Sequence, residues 1–468
     1  MQKIAVFRFE ASAKMGAGHA MRCSVLLKAL SVQGWQCLIV TLRDTINFIP
    51  DLERFTYLDP DEFYKNPVHC ELLIIDHYDL NFTYESYFRS FANKILVIDD
   101  LANRKHDCDV LVDQTYGRAE KDYKDLVPIN CKVLTGGAYA LLRTEFAKLR
   151  PKALKKRQLT DKVNRILISM GGSDPKNNTL KALELIKKSH FTGAIDIVLG
   201  FQNPFIESVE KFVSTLPNPC KIYHNTMMAN LIYEADFAIG GAGSSVWERD
   251  CLGLPSVLIV TADNQKFIYE SLSQRHLVVS SEQFLAYSDD LIRFKKCLIG
   301  TIDGFGVNRV LFQTLYSDQF QDINLKTIEL NDKKMIWGWQ QLVRQYSINT
   351  SLPTWEEHTF WFENRLKQNA NPYWMVTYKG IPVGVLSFEY QEITEDFLLS
   401  WYVIPDYQGK GLGTKVIKLA AKLCWPINIQ AFVKEENIAS QKALLKAGFK
   451  AIALCQYIFE QPERVPEL

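Results

Sequence analysis

From the amino terminus to about residue 310, short apolar runs rich in β-branched residues alternate with longer segments of helical periodicity. Several runs are apolar on consecutive positions, which is typical of strands that helices cover on both faces. The alternation of strand and helix favours parallel, doubly wound sheets. The predicted strands are 3–9, 36–41, 72–76, 95–99, 110–113, 165–170, 194–199, 237–239 and 256–260.

Beyond about residue 320 the pattern changes to two helices followed by strands with short connections. Helices are predicted over 337–346 and 356–367, and strands over 373–378, 381–390 and 396–403. A Lys379-Gly380 turn joins the first two strands, as in a hairpin. The sequence therefore predicts a separate α+β domain with an antiparallel sheet.

Three domains follow from this pattern, covering 1–157, 158–318 and 323–468. The basic segment 150–157 has no clear periodicity, and we interpret it as a solvated linker between the first two domains. The cleft between two such α/β lobes, at the carboxyl ends of their strands, is where doubly wound folds bind ligands.

Composition excludes several classes of protein. The 54 basic and 53 acidic residues leave a net charge of +1, which gives no electrostatic reason to expect a nucleic acid or a membrane as partner. The ten cysteines are scattered without metal-ligand spacing, so no metal is expected. No signal pattern opens the chain and no apolar stretch is long enough to span a bilayer, so we expect a cytoplasmic enzyme. Oligomeric state is left open.

The segment Val403-Ile-Pro-Asp-Tyr-Gln-Gly-Lys-Gly-Leu-Gly-Thr414 links a predicted strand to a predicted helix. Its alternating glycines, Gly409, Gly411 and Gly413, allow a ligand to approach the backbone closely. The free amides and the dipole at the start of the next helix favour an anion such as a pyrophosphate.

Together with 437–440 and 443–449, this segment resembles the GNAT family of N-acetyltransferases. The resemblance implies acetyl-CoA as cosubstrate, with its pyrophosphate on the glycine loop and its sulfur end near Asn437 and Ser440. The implied cofactor-binding residues are Val403, Gln408, Gly409, Lys410, Gly411, Leu412, Gly413, Thr414, Asn437 and Ser440.

One position departs from the GNAT pattern. Many members carry a tyrosine that protonates the leaving thiolate where this chain has Leu444. Either Tyr402 or Tyr407 serves as the acid instead, or the thiolate leaves unaided. Glu357 and His358, on the second predicted helix, are candidates to deprotonate the incoming amine, or else form an ordinary solvated helix face.

A second candidate site lies between the first strand and the first helix. Gly16 and Gly18 immediately precede His19, which is followed by an apolar-periodic helix. A histidine beside a helix amino terminus is disfavoured as imidazolium, so His19 is expected to be neutral and able to accept a proton.

Three further loops follow predicted strands of the first two domains. They are the glycine turn 169–174, the strand–glycine–helix junction 240–248 and the loop 262–265. Glycine turns can hold phosphate oxygens, and Glu248 is suited to accept both hydroxyls of a ribose. The candidate substrate-binding residues are Gly16, Gly18, Arg22, Gly171, Gly172, Ser173, Gly243, Ser244, Ser245, Glu248, Asn264 and Gln265.

The segments 16–23, 76–78, 171–174, 243–248 and 262–265 together resemble the UDP-sugar hydrolases of pseudaminic acid biosynthesis. The resemblance implies two Rossmann-like lobes of GT-B type before the GNAT domain. It also implies that His19 is the catalytic base in cleavage of the sugar C1–O bond, with Tyr78 orienting the sugar or water. The family's usual aspartate two residues after the first arginine is Glu10 here.

The two resemblances together predict a bifunctional enzyme. It would acetylate a UDP-linked 4-amino sugar with acetyl-CoA and then hydrolyse the diacetamido product, inverting the anomeric centre. Three alternatives stay open: a GT-B glycosyltransferase, the same chemistry on a legionaminic or bacillosamine type of sugar, and a GNAT domain that binds without catalysis.

Overall fold

In a computed structural model of the chain, the structure describes residues 2–12, 16–172, 174–200, 203–224, 226–294, 297, 302–347, 350–368, 371–425 and 427–461. The chain divides into two compact units, Met1–Val310 and Leu311–Glu463. Ser173, one of the predicted ligand residues, lies outside the described residues.

The first unit begins with a seven-stranded parallel sheet in the order β3-β2-β1-β4-β5-β6-β7. Its strands are β1 (Ile4–Phe9), β2 (Gln36–Val40), β3 (Thr56–Leu58), β4 (Leu72–Asp76), β5 (Ile95–Ile98), β6 (Val110–Asp113) and β7 (Lys132–Thr135). Its helices are α1 (Gly18–Val32), α2 (Arg43–Phe48), α3 (Pro60–Lys65), α4 (Phe82–Phe88) and α5 (Thr144–Leu159).

A second parallel sheet follows in the order β10-β9-β8-β11-β12. Its strands are β8 (Arg165–Ser169), β9 (Ala194–Val198), β10 (Cys220–Tyr223), β11 (Phe237–Gly241) and β12 (Ser256–Ile259). The helices are α6 (Asn178–Lys188), α7 (Ile206–Val213), α8 (Met228–Glu234), α9 (Ser245–Cys251), α10 (Lys266–Gln274), α11 (Ser281–Tyr287), α12 (Leu291–Phe294) and α13 (Gly306–Leu315).

Consecutive apolar residues form the central strands of both sheets because these strands are buried on both faces. All five residues of β4 are buried, as are all five of β11. Helices cover the sheets on each side, so the unit consists of two Rossmann-like lobes. The prediction of a doubly wound α/β architecture is confirmed.

The linker prediction was wrong. Residues 150–157 lie within α5, where Arg150 and Arg157 are almost completely buried. The Arg150 guanidinium donates to the Cys251 carbonyl oxygen at 2.7 Å, and the Arg157 guanidinium donates to the Ile232 carbonyl oxygen at 2.7 Å. The basic residues therefore satisfy backbone oxygens of the second lobe, and their charge does not mark a solvated connector.

The second unit contains a seven-stranded sheet in the order β13-β14-β15-β16-β17-β19-β18, antiparallel except for the parallel pair of β16 and β17. Its strands are β13 (Ile323–Thr327), β14 (Tyr373–Tyr378), β15 (Ile381–Gln391), β16 (Asp396–Val403), β17 (Ile429–Phe432), β18 (Lys450–Ala453) and β19 (Gln456–Phe459). Its helices are α14 (Lys333–Val343), α15 (Trp355–Gln368), α16 (Leu412–Leu423) and α17 (Ile438–Lys446).

The β14–β15 hairpin confirms the predicted turn. Lys379 and Gly380 both have positive φ, +50° and +79°, as a two-residue hairpin turn requires. The predicted α+β class of this unit is confirmed. Across the described part of the chain, no helix is both long enough and apolar enough to cross a membrane.

Candidate functional site

The strand orders of the first unit explain which loops meet. In the first sheet the chain reverses direction of winding between neighbouring strands β1 and β4, and in the second between β8 and β11. Loops that leave such a point at the carboxyl ends of the strands diverge and leave a crevice. His19 follows β1, and Asp76 is the last residue of β4, so both belong to the crevice of the first lobe.

His19 and Asp76 form a buried pair. The Nδ1 atom of His19 lies 2.5 Å from Oδ1 of Asp76, and the two side chains are 4% and 0% exposed. Burial acts to raise the pKa of Asp76, but Arg22 and His19 outweigh it and lower that pKa below its ordinary value. Because the carboxylate can only accept, the proton between them is assigned to Nδ1, which leaves Nε2 of His19 as a base.

Arg22 holds the carboxylate of Asp76 from the next turn of α1. Its Nε donates to Oδ2 at 2.9 Å and its Nη2 donates to Oδ1 at 2.8 Å. Its Nη1 donates to Oδ2 of Asp100 at 2.8 Å. Such a forked contact fixes the orientation of the carboxylate and thereby that of the imidazole.

Tyr78 lies against His19, with its ring edge-on and the ring centroids 4.5 Å apart. Its hydroxyl donates to Asp100 at 3.3 Å and accepts from Nδ2 of Asn264, in the second lobe, at 3.0 Å. Burial, and then the Asp100 carboxylate, raise the pKa of Tyr78, so its phenol is neutral. The contact brings the predicted residue Asn264 to the histidine site across the two lobes.

Glu10 lies at the same sheet edge, beyond β1. Its carboxylate is 2.6 Å from Arg8 Nη2 and 3.4 Å from His77 Nε2. His77 accepts from the Asp79 amide on Nδ1 at 3.0 Å, which directs its Nε2 proton toward Glu10. The hydrogen bond with His77, helped by Arg8 and opposed by burial, lowers the pKa of Glu10 to about 2.

We expect Glu10→Gln to destabilise the first unit at neutral pH by about 1–2 kcal/mol, after allowance for screening by solvent. Because the folded-state pKa lies below the ordinary value of 4.5, the carboxylate stabilises the fold above about pH 4.5, and this contribution is lost as pH falls toward about 2. Calorimetric unfolding between about pH 3 and pH 7 measures the difference.

The matched control is Glu53→Gln, which removes a carboxylate that pairs with Arg43 at 3.0 Å but is 58% exposed. It should leave the unfolding temperature nearly unchanged at every pH. A Glu10→Gln deficit that did not shrink with acidification would contradict the assigned role of the charge.

In the second lobe, Gly171 and Gly172 follow β8 after one residue, Met170. Gly171 has φ +95°, and a Cβ added to either residue would meet no atom within 4 Å. Asp174 next to them is buried and accepts from the Asn178 amide, the Thr179 amide and the Thr179 hydroxyl, each at 2.8 Å. Asp174 thus anchors the start of α6 and leaves the glycine turn open.

Glu248 lies on α9 next to a cleft between the lobes. This cleft is lined by Met21, Arg22, Val25, Gln114, Leu141, Leu142, Arg143, Ser244, Trp247 and Glu248. The Glu248 carboxylate is 3.1 Å from Nη2 of Arg143. Burial raises the pKa of Glu248, although Arg143 opposes the shift.

The loops 242–245 and 261–265 of the second lobe lie against each other. Oε1 of Gln265 accepts from the Thr261 amide and hydroxyl, each at 2.9 Å. Its Nε2 is directed at the adjacent loop, since a Cβ on Gly243 would lie 3.1 Å from it. Ser244 is exposed, and Ser245 begins α9. These residues share one edge of the second sheet with Asn264.

In the second unit, the glycine loop leads from β16 into α16. Gly409 and Gly411 have φ +74° and +75°, and a Cβ added to either, or to Gly413, would meet nothing within 4 Å. Gln408 donates from Nε2 to the Val403 carbonyl oxygen at 2.8 Å. The remaining predicted loop residues are Lys410, which is exposed and donates to the Asp406 carbonyl oxygen, Leu412, which is buried, and Thr414, which is half-buried.

The strands on either side of this loop diverge. Among the described residues, β16 and β17 pair only at Phe397–Ile429 and Leu398–Gln430. Within the part of the chain that the structure describes, the rest of β16, up to Val403, has no ladder partner on that side. Unpaired strand groups beside an open glycine loop can accept an extended amide-bearing ligand.

The structure separates Glu357 from His358. Glu357 is exposed and accepts from the Thr354 amide at 2.8 Å, as a residue that caps α15 does. His358 is 2% exposed and its Nε2 lies 3.2 Å from the Lys333 carbonyl oxygen, which can only accept. Burial lowers the pKa of His358, so its imidazole is neutral.

The other predicted residues of this unit occupy different environments. Tyr407 is half-buried directly before the glycine loop, with its ring 4.9 Å from Lys410 Nζ. Tyr402 has a buried hydroxyl without a partner among the described residues, and burial raises its pKa. Asn437 caps α17 by accepting from the Ser440 amide at 3.1 Å. Leu444 is fully buried.

Three residues of the first site were missed as site residues in the sequence: Asp76, Asp100 and Arg143. Asp76 ends a fully apolar run, and Asp100 follows the run 95–98, so acidic residues at strand carboxyl ends were the available signal. No sequence signal marks Arg143, because its partner Glu248 is 105 positions away. No cluster of three or more potential metal-ligating His, Cys, Asp or Glu residues occurs among the described residues.

Comparison with known proteins agrees with this division. A family model described as an acetyltransferase (GNAT) domain matches residues 322–450. The UDP-2,4-diacetamido-2,4,6-trideoxy-β-L-altropyranose hydrolase of Campylobacter jejuni is 31% identical over 265 residues, which are 56% of this chain and 93% of that protein. An uncharacterised protein of Methanocaldococcus jannaschii is 24% identical over 487 residues, 96% of each chain.

Among solved structures, MurG of Acinetobacter baumannii is similar with a TM-score of 0.48 and 14% identity, over 67% of this chain and 99% of that one. The fold and the two sites define a pair of Rossmann-like lobes joined in one chain to an acetyltransferase-type domain. The chain belongs to the family of the Campylobacter UDP-2,4-diacetamido-2,4,6-trideoxy-β-L-altropyranose hydrolase.

Proposed function

We propose that the chain is a bifunctional nucleotide-sugar enzyme that N-acetylates a UDP-linked 4-amino sugar and hydrolyses the diacetamido product to free sugar and UDP. The observation that carries the hydrolase half is the buried contact of 2.5 Å between His19 and Asp76 at the first crevice. The relative from Campylobacter is named as a hydrolase of such a UDP-sugar. The substrate proposed is therefore UDP-2,4-diacetamido-2,4,6-trideoxy-L-altrose.

In the hydrolytic step, Nε2 of His19 removes a proton from a water molecule as it attacks the anomeric carbon. The attack occurs opposite to the UDP oxygen, so the C1–O bond breaks with inversion and UDP leaves with the bonding electrons. Asp76 stabilises the imidazolium that forms, and Arg22 keeps Asp76 ionised and oriented. Tyr78 and Asn264 orient the sugar or the water.

The departing diphosphate requires hydrogen-bond donors where its charge grows. The open turn at Gly171 and Gly172, the loop at Gly243–Ser245 and the Gln265 amide are the proposed donors, with Gly16 and Gly18 lining the opposite lobe. Glu248 is the proposed ribose ligand. Because Arg143 pairs with that carboxylate at 3.1 Å, the ribose hydroxyls must share Glu248 with it.

The glycine loop of the second unit fits acetyl-CoA. Positive φ at Gly409 and Gly411 and the open space at all three glycines suit a pyrophosphate, and the amides at the start of α16 suit its charge. When bound, acetyl-CoA supplies an acetyl thioester. The unpaired edge of β16 is the proposed place for the pantetheine amides.

For the acetyl transfer, a base must take a proton from the amine and an acid must stabilise the thiolate. Glu357 is the better placed base of the two candidates because it is exposed, whereas His358 is buried and bonded to a carbonyl oxygen. Tyr407, immediately before the glycine loop, is the proposed acid. It takes the role that Leu444 cannot perform.

The deciding experiment incubates the full chain with UDP-4-amino-4,6-dideoxy-N-acetyl-altrosamine and acetyl-CoA and follows the products by NMR. We expect acetyl-CoA consumption, then UDP and a free diacetamido sugar whose first-formed anomer is opposite to that of the substrate. Without acetyl-CoA, the release of UDP should be much slower.

Other outcomes identify the alternatives. A disaccharide formed when acceptor sugars are added would indicate a glycosyltransferase. Preference for another 4-amino stereoisomer would indicate that the substrate is a related sugar. Binding of acetyl-CoA without acetyl transfer would indicate that the second unit binds the cosubstrate but does not catalyse.

A further inference from the structure

Arg249 of the second lobe has a buried guanidinium directly behind the loop 242–245. The side chain lies on α9, and the residue is 3% exposed. Its Nη2 donates to the Gly241 carbonyl oxygen at 2.7 Å, and its Nη1 donates to Oγ of Ser245 at 3.2 Å. Gly241 ends β11 and Ser245 begins α9, so one side chain ties together both ends of the loop.

The close approach of this guanidinium depends on a glycine. A Cβ added to Gly240 would lie 2.6 Å from Nη1 of Arg249 and 2.9 Å from the Ser169 carbonyl oxygen. Glycine at this position therefore lets the guanidinium lie against the end of β11. The pairing of Gly240 with Arg249 fixes where the loop emerges from the sheet.

Arg249 also carries a charge that the described protein groups balance poorly. Burial lowers its pKa to about 10, with Glu248 opposing the shift, so it stays protonated at neutral pH. Its hydrogen bonds go to neutral oxygens, and its Nε has no partner among the described residues. A buried cation with so little compensation is costly, and such costs are typical of functional sites.

We propose that Arg249 is a positioning residue that shapes the loop 242–245 and acts from behind it as a counter-charge for the diphosphate of the bound nucleotide. This inference rests on the proposed function, in which that loop faces UDP. Arg249 is 3% exposed and its guanidinium lies 2.7 Å from the Gly241 carbonyl oxygen and 3.2 Å from Ser245 Oγ, so solvent screens its charge weakly. The ligand class is a nucleoside diphosphate, and the neutral nucleoside part should feel the charge far less.

The test compares the binding of UDP and of uridine to the full chain by calorimetry, for the unmodified protein and for Arg249→Gln, Arg249→Met and Arg249→Lys. We expect the Gln and Met variants to bind UDP on the order of tenfold more weakly, while uridine binding changes less than about twofold. The Lys variant should recover most of the UDP affinity because it keeps the charge. Arg293→Gln, which removes an exposed arginine of the same lobe, should change neither affinity.

Each result decides the matter. If the Gln and Met variants weaken UDP and uridine equally, Arg249 only maintains the fold of the loop, and unchanged UDP affinity removes both parts of the proposal. Thermal unfolding identifies a variant that fails to fold. If Arg249→Gln does not fold, the result for Arg249→Met is used instead, because the methionine side chain places neither a charge nor an amide in the buried site. If the unmodified chain binds neither UDP nor uridine, the proposed nucleotide-sugar function itself fails.

Discussion

His19→Ala should lower the rate of UDP release by about a thousandfold, within the usual range for loss of a general base. The imidazole is the group that takes the proton from water, and the variant leaves Asp76, which lies 2.5 Å from Nδ1 of His19, without the base that it orients. Acetyl transfer should be unaffected because the second unit, Leu311–Glu463, does not contain His19. A coupled UDP assay and acetyl-CoA consumption measure the two activities separately.

His69→Ala is the matched control, since it removes an exposed histidine of the same lobe. It should leave both activities at the level of the unmodified chain. Hydrolysis that persists at more than about a tenth of the normal rate in His19→Ala would show that another group activates the water. Loss of both activities in a folded variant would contradict the model of two separate sites.

Gly411→Trp should weaken acetyl-CoA binding by about a hundredfold and abolish acetyl transfer, while the hydrolysis of an already acetylated UDP-sugar continues. Gly411 has φ +75°, where a side chain costs roughly 1–2 kcal/mol, and it is the residue that precedes the first turn of α16. An indole there would fill the open space proposed for the pyrophosphate. Calorimetric titration with acetyl-CoA measures the effect.

Gly34→Trp is the control for the backbone strain, because Gly34 has φ +82°, is exposed and has no atom within 4 Å of an added Cβ. It should retain acetyl-CoA binding. Unchanged acetyl transfer in Gly411→Trp would remove the glycine loop from the cofactor site. A fall of UDP-sugar hydrolysis in parallel, without unfolding, would again contradict two independent sites.

Several strands could be predicted to the residue. The predicted runs 72–76, 110–113, 373–378 and 396–403 coincide with β4, β6, β14 and β16, because each is a short run rich in aliphatic or aromatic residues. In the first unit the predicted set lacked β3, β7 and β10, which are short, largely half-exposed or exposed, and at the edges of their sheets. An edge strand buries too little apolar surface to produce a clear run.

The segment 150–157 shows the opposite error. Its charges and Pro151 are typical of a solvated connector, yet it is helical and two of its arginines are buried. Carbonyl oxygens from residues about 75 to 101 positions away accept their hydrogen bonds. The number of charged residues in a segment does not reveal whether distant carbonyl oxygens will accept hydrogen bonds from them.

By itself, the sequence determined the doubly wound lobes, the α+β unit and the glycine loops, since each depends on local periodicity and on residues that permit particular backbone conformations. Only the tertiary structure decided that Asp76 holds His19, that Tyr78 meets Asn264 and that Arg249 lies behind the loop of the second lobe. Those contacts depend on strand order and on the approach of two lobes. His19 and Asp76 are 57 positions apart and Tyr78 and Asn264 are 186 positions apart, so no local sequence pattern indicates that they meet.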